Sequence, residues 1–290
     1  MLLLQLLVNG LQVGSLYALT AVGFSLIFGC TRIFHFAHGA AFVLAAYVFY
    51  WLHSAGAASW ALPALAAALA AVSFGILMDR VVYAPIQRHE GSFFTVFVAS
   101  FGAAIVVQNA IGVIFGRGFV SLSTTLSRSV ELGPGLFASP LAGIAVLCAL
   151  VFFGALQWLL SRTHVGIGLR ALSENPTLLR AYGLRPRRLS SYAFALGSLL
   201  VVPGAILTAA TSGLNPSMGH HVMLISLAAT IVGGVGSLHG AAFAGLLLGL
   251  AENLALWRLE PQWSETVMFI VLFLFILFRP SGFFGTAVTH

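Results

Sequence analysis

The chain has 290 residues, 60% of them hydrophobic and 7% charged, with a mean hydropathy of +1.02 and a formal net charge of +6. Soluble domains carry roughly a quarter charged residues, so much of this surface must be solvated by lipid, and the composition is that of a polytopic membrane protein. The basic balance does not point to nucleic acid: all 13 basic residues are Arg, and most flank apolar runs, where membrane orientation places them.

A spanning helix needs about 20 apolar residues. Runs of that kind fall at 2–29, 36–53, 59–78, 93–115, 140–161, 191–212, 222–238, 240–257 and 265–278. They predict an all-α fold of about eight to ten transmembrane helices with broken or re-entrant segments. No linker rich in Pro and Gly divides them, so residues 1–290 read as one transmembrane domain.

The first run carries Gln5, Asn9 and Gln12 at i, i+4, i+7, a single polar stripe. Such groups face protein or water, either bonding to a neighbouring helix or lining a path. Cys30 and Cys148 sit at or in apolar segments and read as small apolar residues. The second run opens at the broken motif "FHFAHGAAF". His35 and His38 are too few for a zinc site. With Gly39 they mark a helix break whose unpaired backbone groups are expected to face an aqueous cavity. "HGAAF" recurs at 239–243, and both copies open helices running in the same direction, which argues against an inverted repeat.

Between 162 and 190 lie six Arg residues: Arg162, Arg170, Arg180, Arg185, Arg187 and Arg188. If this loop is cytoplasmic, alternation puts Arg32, Arg80, Arg88 and Arg279 inside as well, ten against the three of Arg117, Arg128 and Arg258 outside. The N-terminus is then outside and the C-terminus inside. Within this loop Asn175 is a good helix N-cap, Pro176 suits the first helical position, Glu174 complements the positive helix end, and Gly183 suits a left-handed C-terminus. The short turn between them places Leu178, Ala181 and Tyr182 on one face, with Arg180 on another. An amphipathic turn of this kind suits a groove on a partner protein or an anionic lipid surface.

In the outer part of the C-terminal half, His220 and His221 follow "GLNPSMG" and are expected to face solvent. "GGVGSLHG" interrupts the stretch 222–257 as a hairpin or helix break. Glu252 lies in "LLLGLAENLALW"; a carboxylate within a span costs about 2.5–3.5 kcal/mol, so a partner or a role in a path is expected of it. A chain without Lys holds no G-x-x-x-x-G-K-[ST] nucleotide loop. There is also no H-E-x-x-H, no G-x-S-x-G and no Cys/His array of metal-ligand type, and no cofactor or metal is called for. Uphill transport would draw on an ion gradient or on another subunit.

The segment "GLRALSENPTLLRAYGL" resembles the cytoplasmic coupling loop of ABC-importer permeases. Nearly end to end, the chain is similar to the LivH-type branched-chain amino-acid permeases. The similarity runs through "NGLQVGSLYALTAVGFSLIFG" (9–29), "FAHGAAF" (36–42), "GLNPSMG" (213–219), "IVGGVGSLHGAAFAGLLLGLAEN" (231–253) and "RPSGFFG" (279–285). Where the family has Asn before "FAHG", this chain reads His35-Phe36. The resemblance implies a non-enzymatic transport subunit of the bacterial cytoplasmic (inner) membrane. Its partners would be a second related permease, two cytoplasmic ATPase subunits and a periplasmic solute-binding protein. It further implies ATPase coupling through Glu174, Asn175, Pro176, Leu178, Arg180, Ala181, Tyr182 and Gly183. A translocation path would involve Asn9, Gln12, His35, His38, Gly39, Asn215 and Glu252. Related permeases for urea or amides share these motifs. A stand-alone secondary transporter or channel would need intramembrane acids, for which Glu252 alone is thin support.

Overall fold

The computed structural model describes all residues except 1, 58, 90, 123, 134, 261–262, 280 and 285–290; the motif at 279–285 therefore lies partly outside the described residues. Each apolar run forms a helix. They are α1 (Leu2–Thr31), α2 (His38–Ser54), α3 (Ala61–Leu77), α5 (Phe93–Phe115), α6 (Pro140–Arg162), α9 (Pro186–Thr211), α10 (Met218–Gly233), α11 (Leu238–Ala255) and α12 (Ser264–Phe278). Among the described residues six helical stretches are long and apolar enough to cross a bilayer, beginning at Leu2, Ala61, Phe93, Pro140, Pro186 and Leu238; α10 and most of α12 are shorter apolar helices. Three shorter helices complete the set: α4 (Ala84–His89), α7 (His164–Glu174) and α8 (Pro176–Ala181). A short antiparallel hairpin, β1 (Val130–Gly133) and β2 (Leu136–Ala138), precedes α6.

The 30-residue α1 is the central post, with α11, α9, α10 and α6 packed around it. Lipid offers no hydrophobic drive between helices, so close backbone approach is what holds them. The sequence provides for it with two glycine pairs four residues apart, Gly10/Gly14 on α1 and Gly245/Gly249 on α11. A Cβ on Gly14 would come within 2.8 Å of the Leu246 carbonyl oxygen, and one on Gly245 within 2.6 Å of the Ala18 backbone. Gly23 meets Gly197 of α9 in the same way, its Cβ position 2.6 Å from that carbonyl.

The repeated "HGAAF" has a structural counterpart in α10. Gly39, at the start of α2, lies backbone to backbone against Gly219, at the start of α10. Gly240, at the start of α11, does the same with Gly233, at the end of α10. The short helix is thus gripped at both ends by glycines that follow a His.

Contacts between neighbouring helices sort the connections into two ends. One end holds residues 32–37, the α4 region, α7–α8, the 234–237 turn and Phe283–Phe284, whose amides bond Val232 and Gly233 carbonyls. This is the Arg-rich end, with Arg32, Arg80, Arg88, Arg162, Arg170, Arg180, Arg185, Arg187, Arg188 and Arg279. The opposite end holds the start of α1, the β1–β2 hairpin and the 212–217 turn, where Val120 and Leu214 exchange backbone hydrogen bonds of 2.9 and 2.6 Å.

Candidate functional site

At the Arg-rich end, α7 begins on Thr163, whose Oγ1 accepts from the Gly166 amide at 3.1 Å. It ends at Asn175, where the chain turns into α8. The Asn175 Oδ1 accepts from the Thr177 and Leu178 amides at 3.0 and 2.9 Å, and Pro176 occupies the first helical position. Gly183 takes φ +77°, and Leu184 donates its amide to the Leu179 carbonyl at 3.2 Å, closing the helix in the left-handed manner that glycine permits.

The facing of this turn is decided by one residue the sequence pattern did not single out. Leu179 is 3% exposed and packs with Leu160, Leu169, Leu172 and Leu189, pinning α8 to the bundle. Its neighbours Leu178 and Tyr182 are 53% and 78% exposed. Glu174, Arg180, Ala181 and Gly183 are exposed as well. The turn is therefore a rigid knob with an open apolar face. Clefts flank it: one of about 450 Å³ lined by Arg32, Arg170, Ser173 and Glu174, another of about 330 Å³ lined by Asp79, Arg88, Pro176, Arg180 and Arg187.

Asp79 is a second residue that the hydropathy scan passed over. It is 3% exposed and sits in a π-helical turn, Met78–Tyr83, that joins α3 to α4. Its carboxylate accepts from the Ser190 hydroxyl at 2.7 Å and the Ser191 hydroxyl at 2.6 Å, at the base of α9. Arg80 Nε also donates to Ser191 Oγ at 3.2 Å. The signal available in the sequence was the acid-base pair Asp79-Arg80 closing an apolar run.

The break before α2 runs deep into the bundle. His38 Nε2 lies 3.0 Å from the Thr20 carbonyl oxygen, midway along α1. His35 Nδ1 lies 2.6 Å from the Tyr83 hydroxyl, which donates to Ser100 Oγ at 2.9 Å, and that oxygen accepts the Ala37 amide at 2.9 Å. Both His side chains are fully buried, with aromatic rings of Phe24, Tyr83 and Phe194 around them. The expected aqueous exposure at His35, His38 and Gly39 is not what this conformation shows. The break is held by protein: the Tyr83–Ser100 chain takes His35 Nδ1 and the Ala37 amide, and the Thr20 carbonyl lies against His38 Nε2, while His35 Nε2 and His38 Nδ1 have no partner among the described residues.

At the opposite end lies a polar cleft of about 430 Å³. Gln5, Asn9 and Gln12 from α1 line it, together with Ser127 and Ser129, the start of α6, Thr211 and Ser212 at the end of α9, and Asn253 of α11. Gln5 docks on the hairpin like an extra strand residue: its Nε2 donates to the Phe137 carbonyl at 2.7 Å, and its Oε1 accepts the Phe137 amide at 2.8 Å. It also donates to Asn9 Oδ1 at 3.0 Å.

Other residues sit apart from these groups. Asn215 caps a turn, its Oδ1 accepting the Ser217 amide at 2.7 Å. His220 and His221 are half-buried rather than solvent-facing, His220 lying among the rings of Phe36 and Phe101. Glu252 is half-buried and does not line the outer cleft; among the described residues nothing bonds to its buried Oε2. Its neighbour Asn253 faces the cleft instead.

Comparison with known proteins places the chain in a family and a fold. The model of the family described as "branched-chain amino acid transport system / permease component" matches residues 6–277. The high-affinity branched-chain amino acid transport system permease protein BraD of Pseudomonas aeruginosa is 31% identical, over 97% of this chain and 95% of its own length. The corresponding protein LivH of Salmonella typhimurium is 28% identical with the same coverage. Among solved structures, PsaBC from Streptococcus pneumoniae in complex with Fab aligns over 94% of this chain and 91% of its own, with a TM-score of 0.54. At 12% identity it speaks for the fold.

Proposed function

Because the chain belongs to the branched-chain amino acid transport permease family, we propose that it is the translocation subunit of an ABC importer for branched-chain or similar apolar amino acids. It sits in the bacterial cytoplasmic membrane with the Arg-rich end inside, ten Arg residues against three, as the positive-inside rule requires. A second related permease completes the pathway, two ATPase subunits bind beneath, and a solute-binding protein docks at the outer end.

The observation that carries this reading is the build of α8: capped by Asn175, closed by Gly183 and anchored by Leu179, yet presenting Leu178 and Tyr182 unburied at the Arg-rich end. A loop serving only as a connector would have no need of an anchor and an open apolar face together. Seated in an ATPase cleft, this knob converts nucleotide-driven closure into rigid-body motion. Two attachments pass that motion on: Leu179 into the Leu160–Leu189 cluster, and Ser190 and Ser191 at the base of α9 into Asp79 of the π-helical turn.

The test is to purify the chain with the second permease and the ATPase subunits and reconstitute the complex with the binding protein. Leucine uptake should require ATP, and Leu178→Asp or Gly183→Glu should abolish uptake while ATP hydrolysis persists. Nucleotide-independent uptake by the lone polypeptide would overturn the reading.

A further inference from the structure

The outer cleft has a chemistry of its own. Among the described residues no charged side chain lines it, although Arg128 and Glu131 lie nearby in the chain. Its polar groups are amides and hydroxyls, and Val8, Val13 and Ala142 add an apolar wall. A net charge placed there would lose its hydration without a counter-charge, which is costly. A solute with equal and opposite charges adds no net charge to the site, and each of its poles is compensated only where it finds hydrogen-bonding partners.

Both kinds of partner are on offer. Asn253 is 8% exposed and donates one Nδ2 hydrogen to the Gly249 carbonyl at 3.0 Å, which leaves its side-chain oxygen to accept from a ligand. Gln12 makes no side-chain hydrogen bond among the described residues, which leaves one acceptor and two donors free at the wall. The 23-residue α6 begins beside the same space at Ser139, whose hydroxyl caps none of its amides. Pro140 has no N–H and the Ala142 amide bonds the Ser139 carbonyl at 2.9 Å, so the donor left there is the Ser139 hydroxyl. The volume, about 430 Å³, lies within the roughly 300–1,000 Å³ usual for small-molecule sites.

We propose that this cleft is a low-affinity entry subsite for a zwitterionic amino acid with an apolar side chain. Its ammonium group meets the Asn253 side-chain oxygen, its carboxylate meets Gln12 and the Ser139 hydroxyl, and its side chain lies along Val8, Val13 and Ala142. Gln5 serves the site indirectly, by fixing the hairpin that forms one rim. The inference rests on the importer reading above and assigns it a place where solute first leaves the receptor.

The experiment uses the complete permease–ATPase complex in nanodiscs, without nucleotide or binding protein, titrated with radiolabelled leucine in a scintillation proximity assay. Leucine should bind and be displaced by valine and isoleucine, but not by urea, arginine or glutamate. Gln12→Leu and Asn253→Leu should weaken binding at least tenfold, whereas Asn109→Ala, on the exposed face of α5, should match the wild type. Because a leucine substitution can disturb packing, Gln12→Glu gives an independent arm: a negative charge where the carboxylate docks should abolish leucine binding. Wild-type affinity in both leucine variants, displacement by urea, absence of leucine binding to the wild type, or undiminished leucine binding by Gln12→Glu would each overturn the subsite. Uptake separates the two readings. If the wild-type complex imports leucine with ATP and the cleft variants do so equally well, the subsite falls alone; if the wild type imports no amino acid, the importer reading falls.

Discussion

Helices α1 and α6 are made of similar material and live in different surroundings. Their best spanning windows have mean hydropathies of 1.7 and 2.2, yet 83% of the first is buried inside the protein and 17% of the second. Apolarity places both in a bilayer and says nothing of which one the protein encloses. The difference lies in where glycine falls. Gly10, Gly14 and Gly23 of α1 each touch the backbone of a neighbouring helix, while Gly143 and Gly154 of α6 touch nothing within 4 Å. In lipid, helices are held by close approach, so glycine contact marks the enclosed post and glycine without contact marks the lipid-facing wall.

The largest effect should come from attacking that distinction directly. Gly14→Leu or Gly249→Leu forces backbone-to-backbone contacts apart between α1 and α11 and should cost about 3 kcal/mol or more. The outcome would be loss of protein from the membrane fraction. Gly143→Leu and Gly154→Leu, equal changes in bulk, should leave the melting temperature in detergent within about a degree or two, since surface changes stay within about 0.5 kcal/mol. Similar losses in both pairs would break the comparison.

Asp79 sharpens it from the polar side. Only 28% of the α3–α4 window is buried, and its firm attachment at the Arg-rich end is the carboxylate that holds Ser190 and Ser191. Asp79→Ala takes the carboxylate partner from both hydroxyls, leaving Ser191 only its contacts with Arg80 and the Arg187 carbonyl, and should cost about 1–3 kcal/mol, read as a lower melting temperature. Asp79→Asn keeps part of the pairing and should recover part of the loss.

How much of this could be read from the sequence follows the same division. All nine apolar runs are helices within a few residues of their expected ends, because a long unbroken apolar stretch in lipid has no other way to satisfy its backbone. The caps of α8 were legible too, since Asn175, Pro176 and Gly183 act locally. What depended on rotation or on distant partners was not. A turn of one residue on α11, set by its glycine seam against α1, brings Asn253 rather than Glu252 into the outer cleft. Leu178 and Leu179 are the same residue type, and only the surrounding Leu160, Leu169, Leu172 and Leu189 decide which of them is buried. His35 found its partner 48 positions away in Tyr83, from a π-helical turn that no local pattern announced.

The α8 knob joins both regimes within one short turn, and a milder change tests its closed side. Gly183 at φ +77° has nothing within 4 Å of a built Cβ, so Gly183→Ala meets conformational strain without a clash. The cost should be about 1–2 kcal/mol, confined to local fraying of α8. Hydrogen exchange at the Leu184 amide, which bonds the Leu179 carbonyl, is the measurement. Protection unchanged from the wild type would mean that the left-handed closure does not hold the turn.

The smallest effect on stability should accompany a large effect on transport. Leu178 is 53% exposed and outside the cluster that holds Leu179, so Leu178→Ser should alter the melting temperature by less than about 0.5 kcal/mol would produce. Burying a leucine in a partner's cleft contributes about 1.5–3 kcal/mol, so the same change should weaken the grip of the ATPase subunit roughly tenfold or more and reduce ATP-dependent uptake accordingly. Leu179→Ser gives the converse, destabilising the Arg-rich end itself, so that transport and thermal stability fall together. The two substitutions replace identical side chains at adjacent positions, and their only difference is which side of α8 they occupy. Separation of stability from transport at Leu178 alone would show that the open face of the turn is used in binding rather than merely left over from folding.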